Sequence, residues 1–222
     1  MKKLFAILLA LSLLVSLAAC GSAEPTEAPT EAPSEESTGG MSPIVGVYDG
    51  NSYSNTVLGI ACNLPEEWTL LNLQDLIEAY GYTADEFSSE NIQASVESAG
   101  SLTTYYATTS DGLQTLTITV ASATAYGYLE GKESSVVELM IPQMETQLPA
   151  SGIEVASIDG GTIDFAGQER SCISVVGTTN ETDLYEKQVI IFSGNYLFII
   201  TAVSFLEDNC DTLLSNFTAL AE

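Results

Sequence analysis

The chain contains no histidine. That absence removes Ser-His-Asp triads, Cys-His dyads, histidine-ligated zinc and most general-base arrangements that work near neutrality. Positive charge is nearly as scarce. Five Lys and Arg residues stand against thirty Asp and Glu in 222 residues, a formal net charge of −25. Two of the five are Lys2 and Lys3, so the rest of the chain holds only Lys132, Arg170 and Lys187. Phosphate would be repelled over the whole surface, which excludes nucleic acid as a partner, and anionic headgroups are disfavoured for the same reason. A polyacid surface keeps an exported protein soluble and attracts cations, cationic peptides or basic partners.

Long hydrophobic runs are also missing, apart from one at the start. Lys2 and Lys3 precede the uncharged stretch Leu4 to Leu17, which is short for a span of ~30 Å at ~1.5 Å per residue and ends in small residues. The junction Leu17-Ala18-Ala19-Cys20-Gly21 resembles the bacterial lipobox at every position. The resemblance implies that residues 1–19 are a lipoprotein signal peptide and that Cys20 is the lipid attachment point, since a thiolate is the nucleophile that alkylation requires. It places the mature protein on the outer face of the cell membrane, held by acyl chains at ~0.8 kcal/mol per buried methylene.

Residues 20–42 then change character. Glu24-Pro25-Thr26-Glu27-Ala28-Pro29-Thr30-Glu31-Ala32-Pro33 repeats a Pro-Thr-Glu-Ala unit and runs on to Gly39-Gly40. With almost no large apolar side chain it cannot offset its chain entropy, so the composition predicts a disordered, extended stalk. Residues 43–222 hold the apolar and aromatic residues of a single globular domain.

Within that domain the patterning mixes both periods. A hairpin is predicted from Val45–Asp49 and Ser52–Asn55 around Asp49-Gly50-Asn51, followed by a strand over Thr56 to Asn63 that Pro65 stops. Asn72 caps a helix bearing Leu73, Leu76, Ile77 and Tyr80, ended by Gly81. Thr83 and Glu86 read as a capping box for a second helix with Phe87, Ile92 and Val96. Two strands flank Ser110-Asp111-Gly112, with Leu116, Ile118 and Val120 alternating against threonines. Ser135 and Glu138 form another box for a helix that Pro142 should bend or break. Five strands follow: Ile153 to Ile158, Gly161 to Phe165, Glu169 to Val176, Leu184 to Phe192 and Asn195 to Ser204. The stripe Leu206, Cys210, Leu213, Leu214, Phe217 and Leu220 predicts a final helix. Runs of strands with interspersed helices give an α+β class, an antiparallel β-sheet with helices on both faces.

The segment Tyr53-Ser54-Asn55-x-x-Leu58-Gly59-Ile60-x-Cys62-x-Leu64-Pro65-x-x-Trp68 resembles the opening of small Firmicutes lipoproteins, and the order of elements after it resembles the PsbP-like fold. It departs from the usual pattern at Cys62, where a larger apolar residue is typical. The resemblance implies a binding or assembly module and brings no catalytic residues with it.

Candidate sites are few. Cys62, Cys172 and Cys210 fall at core positions, without a C-x-x-C pair or a basic neighbour, and read as buried thiols, with one disulfide as the alternative. The acidic turns Asp49-Gly50-Asn51, Asp111-Gly112 and Asn180-Glu181-Thr182-Asp183 could offer oxygen ligands to calcium, but Ile60 occupies the place of a loop's final acidic ligand, and turn chemistry explains all three. Tyr105-Tyr106 and Tyr126-x-Tyr128 could stack a sugar or peptide, or pack as strand tyrosines. No metal, cofactor or catalytic residue is therefore assigned. The sequence favours a membrane-anchored extracytoplasmic module, not an enzyme, that binds an envelope protein, peptide or small ligand. The alternative is a carboxylate-dependent cell-envelope hydrolase.

Overall fold

A computed structural model of the protein describes residues 40–126 and 132–220. The expected signal peptide, Cys20, most of the stalk, and Tyr128 lie outside the described residues, as does the side chain of Tyr126. The fold is α+β, built from antiparallel strands in two sheets with helices against them. The strands, in chain order, are β1 (Val47–Asp49), β2 (Ser52–Asn55), β3 (Ile60–Asn63), β4 (Trp68–Leu70), β5 (Ser101–Thr109), β6 (Gln114–Ser122), β7 (Glu154–Phe165), β8 (Gln168–Thr179), β9 (Thr182–Ser193), β10 (Tyr196–Phe205) and β11 (Phe217–Ala219). The helices are α1 (Leu73–Tyr80), α2 (Ile92–Ala99), α3 (Glu133–Ala150) and the short α4 (Cys210–Leu214). A four-stranded sheet runs β1-β2-β3-β11, and a seven-stranded sheet runs β4-β5-β6-β10-β9-β8-β7.

Strand β10 shows why the large sheet is covered twice. Phe198, Ile200 and Ala202 enter one buried cluster, while Leu197, Ile199, Val203 and Phe205 enter the other. The second cluster is closed by α3 through Val136, Val137, Met140, Met144 and Leu148. The first takes Leu76 and Ile77 of α1, Ile92 and Val96 of α2, and Cys210, Leu213 and Leu214 of α4. It also joins the two sheets through a run of aromatic rings: Tyr48–Tyr53 at 5.2 Å, Tyr53–Tyr105 at 4.7 Å, Tyr105–Phe217 at 5.6 Å and Phe217–Phe165 at 5.6 Å. Tilted and edge-on contacts at these separations suit ring quadrupoles and add about 1 kcal/mol each beyond area burial.

Several expectations hold in detail. The Asn72 side chain accepts the Asp75 N–H at 3.0 Å, and Gly81 closes α1 at φ +73°, the left-handed position that a Cβ disfavours. Others are corrected. The strand expected from Thr56 begins only at Ile60, because Asn55 Oδ1 accepts both Val57 N–H and Leu58 N–H at 3.0 Å and curls the chain into a turn. The Thr83–Glu86 box is present, but it caps a 3₁₀ turn, Ala84–Phe87, ended by an extended Ser88, and α2 starts separately. Ser135 caps nothing. Helix α3 already starts at Glu133, and it runs through both Pro142 and Pro149 without breaking. Pro142 deprives Glu138 of an N–H partner at an exposed position, where water can supply one.

The strands expected over Ile153 to Ile158 and Gly161 to Phe165 are one, and Asp159-Gly160-Gly161 makes no turn between them. It lies inside β7, which pairs with β8 from Glu154 to Phe165. A Cβ on Gly160 would stand 2.7 Å from Val137 Cγ1, so the glycine is there to let α3 lie close on the sheet. The final helix is also cut short. Asn216 Nδ2 donates to the Leu213 carbonyl and Ser215 Oγ to that of Thr212, which ends α4, and Phe217 then pairs with Cys62 as part of β11. Leu206 stands outside the stripe, exposed, at φ +74°.

Candidate functional site

The chain engages the domain from Gly40 onward. Ser42 N–H donates to the Phe87 carbonyl at 2.9 Å, and Ser89 N–H donates to the Gly40 carbonyl at 3.0 Å. No described helix is long and apolar enough to cross a membrane.

The three cysteines are free and buried. Cys62 lies between the sheets with its sulfur 3.5 Å from Tyr105 Oη, and Cys210 Sγ donates to the Ala202 carbonyl at 3.6 Å. Burial pushes the Cys62 thiol up to about 11 and that of Cys210 well above its ordinary value. Burial also raises Cys172, against the opposing pull of Lys187. Thiols held protonated in this way are weak nucleophiles. Tyr105 and Tyr106 are core residues, at 0 % and 2 % exposure, so neither offers a stacking surface. Burial likewise holds the hydroxyls of Tyr53 and Tyr105 far above the usual phenol range.

The Asp111 carboxylate serves its own turn. Asp111 accepts Thr109 Oγ1 at 2.6 Å and Leu113 N–H at 3.0 Å, and these bonds lower its pKa. Asn51 Nδ2 donates to the Pro65 and Trp68 carbonyls. Asn180 and Glu181 both adopt positive φ, the geometry of a tight hairpin turn. Among the described residues, no three Cys, Asp or Glu side chains converge as a metal would require.

Two features escaped the sequence reading. The first is Glu186. Leu184, Ile190 and Phe192 of β9 enter the cluster under α3, and strand alternation puts Glu186 and Gln188 on that same face. Glu186 is 1 % exposed and accepts Gln188 Nε2 at 2.5 Å, while its Oε2 and Gln188 Oε1 have no partner among the described residues. Burial pushes its carboxyl up to about 7, and the Gln188 amide pulls the other way. The neighbouring Lys187 faces the opposite side and pairs with Asp211 of α4. Parity with the apolar residues of β9 was the signal that could have found Glu186.

The second feature is a cleft of about 630 Å³ where α3 turns into β7, lined by Glu145, Pro149, Gly152, Ile153, Glu154 and Val155. Both carboxylates are exposed. The chain reverses here through Ser151, whose N–H donates to the Gln147 carbonyl at 3.0 Å, and Ile153 N–H donates to the Leu148 carbonyl at 3.1 Å. Only that reversal brings Glu145 beside Glu154, so nothing in their spacing announces the cleft.

No family model matches the chain, and no curated protein matches it. Solved structures do. LpqN of Mycobacterium tuberculosis, described as involved in cell envelope biogenesis, is 13% identical with a TM-score of 0.38, covering 76% of this chain and 84% of LpqN. The cyanobacterial PsbP of Synechocystis sp. PCC 6803 is 15% identical with a TM-score of 0.41, covering 79% and 95%. A protein of Bacteroides thetaiotaomicron is 10% identical with a TM-score of 0.38, covering 78% of this chain and 49% of its own.

Proposed function

We propose that the protein is a lipid-anchored module on the outer face of the cell membrane, binding an envelope protein, peptide or small ligand without catalysing a reaction. The observation that carries this reading is the order of segments: a positively charged start, an apolar run, the Leu17-Ala18-Ala19-Cys20 junction, an acidic proline-rich stalk, and a fold engaged from Gly40. That order delivers a folded domain to the far side of a membrane and holds it at a distance.

The described residues support binding over hydrolysis. Carboxylate-dependent hydrolysis needs one carboxyl kept protonated beside an ionised one, both open to substrate. The carboxyl that burial holds up is Glu186, enclosed under α3, while the two in the cleft are exposed to water. The expected result of Cys20→Ser in the native host is loss of the protein from the membrane fraction and its appearance in unanchored form. A variant that stays with the membrane, or a wild-type protein found in the cytosol, would contradict the proposal.

A further inference from the structure

Strand β7 ends the seven-stranded sheet, paired with β8 on one side only. Among the described residues, no backbone hydrogen bond reaches its outer edge. An unpaired edge of twelve residues is a template for another strand, and proteins blunt such edges with charges, proline or bulges. This one has no lysine or proline, although a bulge shifts its register with β8 between Val155 and Ser157. It carries Glu154, Asp159 and Asp164 instead, all exposed.

Helix α3 runs beside that edge. Val137 and Ile141 meet Gly160, while Glu145 and Pro149 line the cleft with Ile153, Glu154 and Val155. These four helix residues recur at intervals of four, so they form one ridge, antiparallel to β7. A helix ridge beside an open strand edge is the arrangement in which an extended peptide adds to a sheet, its main chain supplying affinity and its side chains specificity.

Charge decides the occupant. A second copy would bring the same carboxylates of β7 against one another, and the acidic stalk would be repelled in the same way. From these observations we infer that the α3–β7 groove binds an extended cationic polypeptide segment by strand addition to β7, with basic side chains on Glu145 and Glu154. At ~3.3 Å per residue, a segment of about eight residues spans Ile153 to Gly160. The inference rests on the binding-module reading and supplies its partner class.

The test uses the full chain in detergent micelles and a fluorescent (Lys-Val)₄ peptide. Three comparisons accompany it: (Glu-Val)₄, a (Lys-Val)₄ peptide N-methylated at every backbone amide, and the protein variant Glu145→Lys/Glu154→Lys. Binding of (Lys-Val)₄ is expected, with slowed amide exchange confined to β7. The methylated peptide, which keeps the charge and loses the donors, should bind about tenfold more weakly or worse. The charge-reversal variant should lose affinity similarly, and (Glu-Val)₄ should not bind. Equal affinity for the methylated peptide, protection away from β7, or no binding of (Lys-Val)₄ would overturn the inference. Such a failure removes the groove alone, because the anchored-module reading stands or falls separately on fractionation of Cys20→Ser.

Discussion

Glu186→Gln is expected to leave stability unchanged in acid and to raise it by about 3 kcal/mol above neutrality. The reason is linkage. An unfolded glutamate ionises near 4.5, but burial beneath α3 delays ionisation of Glu186 in the folded protein to about 7. Below 4.5 both states hold the proton and the group has no effect. Between 4.5 and 7 unfolding releases a proton, so stability falls as pH rises, and above 7 the full cost of a buried charge is present. The amide introduced by the substitution has the shape of the protonated acid and never ionises. It also brings a donor to a place where Gln188 Oε1 has no partner among the described residues. The charged groups on the element packed over it are the glutamates of α3, of which Glu138 and Glu145 are exposed, and Lys187 faces the other side of the sheet. Denaturant titrations from pH 4 to about 9 should therefore show wild-type and variant curves that coincide in acid and diverge through neutrality. Curves that stay parallel would show that Glu186 is not held protonated by burial. Because the thirty acids repel one another as they ionise, the difference between the two proteins is the quantity to read.

The second large effect belongs to Trp68. Its side chain is 6 % exposed in the cluster between the sheets, and β4, which it begins, pairs with β5 through Trp68 and Thr109. The Leu64-Pro65 step makes the turn that delivers it, with Trp68 N–H donating to the Pro65 carbonyl at 3.1 Å. Asn51 then holds the tryptophan's own carbonyl from the first hairpin. Trp68→Ala should cost about 3–5 kcal/mol, since neither the sheet edge nor the hairpin can collapse into the space it leaves. As the only tryptophan, it also reports on itself. Native emission should be blue-shifted and should move red in one step with the loss of secondary structure. A variant of near-normal stability that no longer binds a partner would make Trp68 a contact surface and not a core residue.

What the sequence made legible was local. Asn72 and Gly81 bound α1 as their chemistry requires, and the alternation of Leu116, Ile118 and Val120 with threonines marked the strand that is β6. Misjudged elements were those whose local signal is overridden at long range. Gly160-Gly161 has the composition of a turn, yet the glycine answers to Val137, more than twenty positions earlier in the chain. Phe217 fits a helical stripe until Cys62 offers it a strand partner. The stretch around Pro142 keeps its helix because the buried residues Val136, Met140, Met144 and Leu148 hold it to the sheet on both sides of the proline. The candidate groove was illegible for a related reason. Its helix ridge and its strand edge each look like an ordinary solvated surface, and only the strand order shows that β7 has no outer neighbour.

The account depends most on Cys20. Intact-mass spectrometry of the protein extracted from native membranes tests it directly. The expected species begins at Cys20, lacks residues 1–19, and carries a diacylglyceryl group on the cysteine sulfur, with or without a further acyl chain on the new amine. A species that retains Met1, or one whose Cys20 carries no lipid, would contradict the anchored-module account at its base.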